Sequence, residues 1–116
     1  MATDLVGNET LQRFIGLLAK LNRLSADALK TGEVKTIEQI NAVVVEMHAI
    51  QSVGKEDAYT GIEEDAQIIY KNTDAITMML KSCEGELDSV TSGAVKKFLR
   101  NVFDATVRIV YAYGLA

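Results

Sequence analysis

Residues 9–31 read ETLQRFIGLLAKLNRLSADALKT. Wound at 100° per residue, Leu11, Phe14, Ile15, Leu17, Leu18, Leu21, Leu24, Ala28 and Leu29 share one half of the helical wheel. Gln12, Arg13, Gly16, Lys20, Arg23, Asp27 and Lys30 take the other half. A strand's two-residue alternation would scatter both sets, so the stretch is an amphipathic helix. Its ends agree. Asn8 suits an N-cap, Glu9 sets a carboxylate in the first turn, and Gly32 is a stop that tolerates left-handed backbone.

The same winding predicts three more helices. The second covers about 37–53, opened by the capping box Thr36-Ile-Glu-Gln39 and ended by Gly54. Ile37, Ile40, Val43, Val44, Met47 and Ile50 form its stripe, and this spacing outweighs the strand-like run 43–45. The third covers about 60–83, with a second capping box at Thr60-Gly-Ile-Glu63 and an extra turn allowed at 55–59. Ile62, Ile69, Ile76 and Cys83 repeat every seven residues along it, and Gly85 breaks it. The fourth covers about 88–113, closed by Gly114. Connections of a few residues make neighbouring helices antiparallel. The expected fold is all-α: one domain over 1–116, a four-helix bundle, antiparallel up-and-down or closely related.

Composition narrows the function. Apolar residues make up 48% of the chain and charged residues 24%, an ordinary globular balance rather than a disordered one. Proline is absent, where average usage of about 5% gives roughly six, as expected of long unbroken helices. A net charge of −4 disfavours nucleic acid as the main partner, because phosphate binding needs clustered Lys and Arg. No apolar run approaches the ~20 residues a membrane span requires, and the start lacks a signal peptide's basic and apolar regions. A cytoplasmic location without membrane association is the expectation.

Catalytic chemistry finds little to work with. The single His48 cannot supply the paired Glu-x-x-His motifs of a di-iron bundle. Glu56, Asp57, Glu63, Glu64 and Asp65 lack the alternation and central glycine of a calcium loop. Cys83 lies on the third helix's apolar line and reads as a buried, inert thiol. The eight glycines stand singly, with no phosphate-cradling loop. A non-enzyme without cofactor or metal is expected.

His48 supports one alternative. An accessible histidine on a small acidic helical bundle is the layout of a histidine phosphotransfer domain, which carries His-x-x-Lys-Gly. Here the segment reads His48-Ala-Ile-Gln51-Ser52, so both supporting positions differ. A second alternative is nucleic-acid association through the strip Lys96, Lys97, Arg100 and Arg108.

The fourth helix carries the main functional expectation. Val95, Phe98, Leu99, Val102, Phe103, Ile109, Val110 and Tyr113 spread over half its wheel or more, wider than a one-sided cover needs. Either this helix is central to the domain, or a second molecule covers part of it. The candidate interface is Leu99, Phe103, Val107, Val110, Tyr111 and Leu115. Asp65 and Asn72 project among the third helix's apolar residues as polar core candidates. Asp65 then requires a basic partner, a cap or water, and Asn72 would set register against a facing helix. The chain is expected to act through contact with a protein partner as an adaptor, regulator or inhibitor, and to self-associate, as a homodimer, through its last helix.

Overall fold

A computed structural model describes residues 9–53, 61–83 and 89–114. Four helices occupy them: α1 (Glu9–Thr31), α2 (Val34–Val53), α3 (Glu63–Ser82) and α4 (Ser89–Ala112). The described residues contain no strand, and the run 43–45 is helical. Asn8, Thr60, segment 55–59 and Leu115 lie outside the described residues.

Cross-helix side-chain pairs give the direction of each neighbour. Between α3 and α4, Cys83 meets Thr91, Asn72 meets Asn101 and Asp65 meets Arg108, so one helix descends as the other climbs. Between α2 and α3, Gln51 meets Tyr70 and Asn41 meets Thr77, again in opposite order. The helices form a ring in which α1 packs on α2 and α4, and α3 packs on α4 and α2. The α3–α4 seam is the most extensive and the α2–α3 seam the least. The bundle is therefore antiparallel and up-and-down.

Heptad spacing fills its centre. Leu11, Phe14, Leu18, Leu21, Ser25 and Ala28 of α1 alternate steps of three and four and are all buried. Ile62, Ala66, Ile69, Thr73 and Ile76 do the same for α3. On α4 the series is Val95, Leu99, Val102, Thr106 and Ile109. Steps of three and four keep one seam facing the partner helices, which is why a left-handed bundle geometry suits this pattern.

Three of these core positions are polar. Ser25 Oγ donates to the carbonyls of Leu21 and Asn22, at 2.8 and 3.1 Å. Thr106 Oγ1 donates to the Phe103 carbonyl at 2.6 Å and accepts from Asn22 Nδ2 at 2.9 Å, joining α4 to α1. Thr73 is only 3% exposed, and its Oγ1 has no hydrogen-bond partner.

Two helix starts differ from the expected caps. α2 begins at Val34, so Thr36 lies inside the helix instead of capping it. Gly32, at φ 70°, turns the chain at once, and Thr31 Oγ1 accepts from the Glu33 amide at 3.3 Å. The Ile37 amide then bonds to the Glu33 carbonyl, leaving no loop before α2. α3 begins at Glu63, with Ile62 as a cap that makes no side-chain bond. Gly61, at φ 93°, makes the turn, and Glu63 Oε2 accepts from its amide at 2.8 Å.

Candidate functional site

The α1–α4 seam holds Val107, Val110 and Tyr111 of the fourth helix's expected interface, and it accounts for part of the broad apolar arc. α4 is not central. It faces α3 through Asn101 and Arg108 and faces α1 through Thr106, so its arc serves two seams. Phe103, Val107 and Val110 are half-buried as a result, while Tyr111 stays 69% exposed. Leu99 corrects the expected interface: at 1% exposure it belongs to the core and is closed to any partner. A single wheel cannot separate residues facing two neighbours from residues facing solvent.

Ala19, Asn22 and Arg23 of α1 and Val107, Val110 and Tyr111 of α4 line an open groove of about 510 Å³ on this seam. Its walls are mainly apolar, with Arg23 at the rim. A concave apolar surface beside an exposed tyrosine suits contact with another protein, since Tyr offers a large apolar ring and a polar tip.

The other polar candidates form a ladder along α3–α4. Asp65 accepts from Arg108 Nε at 2.7 Å, so it has the basic partner its position demanded. Asn72 Nδ2 donates to the Ile68 carbonyl at 2.6 Å, and its Oδ1 accepts from Asn101 Nδ2 at 3.0 Å. Both residues are half-buried at the seam's edge, not inside the core, and the facing helix belongs to the same chain. These bonds fix the register of α3 on α4. Of the basic strip, Arg108 is engaged with Asp65 and Arg100 lies 3.5 Å from Asp104, while Lys96 and Lys97 are exposed.

His48 is exposed on α2, its ring set edge-on to Tyr70 with centroids 4.6 Å apart. It shares a groove of about 320 Å³ on the α2–α3 seam with Asn41, Val44, Val45, Lys71, Thr73 and Asp74. Lys71 brings a cation from the next helix to the groove that His48 lines, a neighbour not visible in the sequence of α2 alone. Asp74 brings a carboxylate to the same groove.

Cys83 is half-buried at the end of α3, its Sγ 3.7 Å from Thr91 Oγ1, and not the fully buried thiol its heptad position implied. Cys83 caps the end of α3, beyond its last helical residue, Ser82. No group of three or more potential metal-ligating side chains occurs among the described residues. None of their helices is long and apolar enough to cross a membrane. The chain matches no known family model, no curated protein and no solved structure.

Proposed function

We propose that this protein is a non-catalytic helical module that works through protein contact, including contact with copies of itself, using the α1–α4 groove. The observation carrying this reading is Tyr111, 69% exposed beside Val107 and Val110 at a mainly apolar groove. Burial of apolar surface contributes about 25 cal/mol per Å², and an aromatic side chain supplies roughly 150–250 Å² of burial. Because Tyr111 is already about a third buried, covering the rest offers about 2–4 kcal/mol of gross driving force before the cost of association is subtracted.

Phosphotransfer through His48 has one favourable observation, the neighbouring Lys71. It has one opposing: Asp74 in the same groove would face the incoming phosphoryl charge. Protein contact is therefore the preferred reading. Sedimentation equilibrium from about 1 μM to about 1 mM, which spans roughly −8 to −4 kcal/mol of association, tests it. Mass should rise with concentration for the natural chain and stay at the monomer value for Tyr111→Asp. A natural chain that remains monomeric throughout, and retains no partner on a Tyr111-dependent basis, would remove the proposal.

A further inference from the structure

Charge is divided unevenly around the ring of helices. α1 and α4, which are neighbours, carry eight Lys and Arg against three Asp and Glu. α2 and α3, also neighbours, carry three against six. Among the described residues, two ion pairs, Arg13–Glu46 and Arg108–Asp65, bridge the halves and use two charges of each sign. What remains is six basic and three acidic residues on the α1–α4 half, and three basic and four acidic on the α2–α3 half. Among the described helices, one long side of the bundle is electropositive and the opposite side mildly electronegative.

Each side also presents a strongly exposed large hydrophobic residue at a groove between its own two helices, while Met78, 64% exposed, lies at the separate groove between α3 and α4. On the basic side it is Tyr111. On the acidic side it is Val45, 61% exposed, at the groove whose lining includes the buried and unpartnered Thr73 hydroxyl. A two-fold dimer through the α1–α4 groove would set basic surface against basic surface. Like charges facing one another oppose association, whereas opposite faces attract and select orientation.

We infer that copies associate front to back, the basic α1–α4 face of one seating on the acidic α2–α3 face of the next. Tyr111 enters the neighbour's α2–α3 groove, its ring against Val44 and Val45. This rests on the contact reading above and replaces the homodimer expected from the sequence with a heterologous contact. Such a contact uses two different surfaces and leaves one of each unoccupied, so it builds rings or open chains.

The two surfaces can be blocked separately. Tyr111→Asp spoils the basic face by replacing the ring with a carboxylate, and Val45→Lys spoils the acidic groove by setting a cation against the incoming basic face. Both positions are exposed, and far-ultraviolet circular dichroism should show unchanged helix content in each variant. Sedimentation velocity is then run on the natural chain, on each variant and on their equimolar mixture. The natural chain should grow beyond a dimer with concentration, and each variant alone should be a monomer. The mixture should give one species of twice the monomer mass, because one intact face of each kind remains.

Self-association of Val45→Lys at the natural strength would overturn the front-to-back arrangement while leaving the α1–α4 contact standing. Two monomeric variants that ignore each other would also overturn it. A natural chain that is monomeric at every concentration would sink the self-association reading itself.

Discussion

At the scale of single residues, Thr73 is the most informative side chain in the core. A buried hydroxyl without a partner loses its hydration and gains nothing, at a cost of about 1–3 kcal/mol. Valine matches its shape, and the two have similar helix propensity. Thr73→Val is therefore expected to stabilise the monomer by about 1 kcal/mol, read as a higher urea midpoint at unchanged slope. Asn72 and Asn101 should behave oppositely. Their side-chain bond ties α3 to α4 at 3.0 Å, and a double-mutant cycle to alanine should return a favourable coupling of about 0.5–1.5 kcal/mol. A coupling of zero would mean solvent serves Asn72 equally well. Asn72 was visible in the sequence as a polar residue on an apolar stripe, but Ser25, Thr73 and Thr106 were not. Their hydroxyls are small enough to bond the preceding turn or pack like methyls, so period alone does not mark them as core.

At the scale of elements, the four helices were legible because each carries several turns of three-and-four spacing. α1 matches its expected bounds, 9–31, at both ends of its span. The starts of α2 and α3 were misplaced by three residues each, and the causes are local. A capping box needs its Thr outside the helix, but Gly32 reverses the chain so tightly that α2 has begun before Thr36. Thr36→Ala should consequently be almost silent in thermal or urea unfolding, within about 0.5 kcal/mol, where loss of a true cap costs ~1 kcal/mol. Gly32→Ala should cost about 1–2 kcal/mol, since φ 70° forces a Cβ into left-handed backbone. Nothing lies within 4 Å of a Cβ added there, so that loss would be conformational and not steric. The pair of substitutions locates the real helix boundary. A costly Thr36→Ala with a harmless Gly32→Ala would restore the capping-box start.

At the scale of the whole molecule, neither the grooves nor the charge division could be read from any one helix. They depend on which helices become neighbours, and that is settled by cross-seam pairs such as Asn22–Thr106 and Asp65–Arg108. Ring order places α1 beside α4 and so gathers the basic residues on one side. This makes ionic strength a signed test of how copies meet. Raising salt from about 0.01 M to about 1 M shortens the Debye length from ~30 Å to ~3 Å and removes most interaction between exposed charges. A front-to-back contact joins opposite faces, so added chloride should weaken association and lower the weight-average mass at fixed protein concentration. A symmetric α1–α4 dimer joins two basic faces, so the same salt should relieve repulsion and raise the mass. The apolar part of either contact, centred on Tyr111, does not reverse this sign, because sodium chloride screens charge far more than it alters hydrophobic burial. The direction of the mass change thus decides between the two assemblies: a rise with salt would leave Tyr111 as the contact but exclude the α2–α3 groove as its receptor.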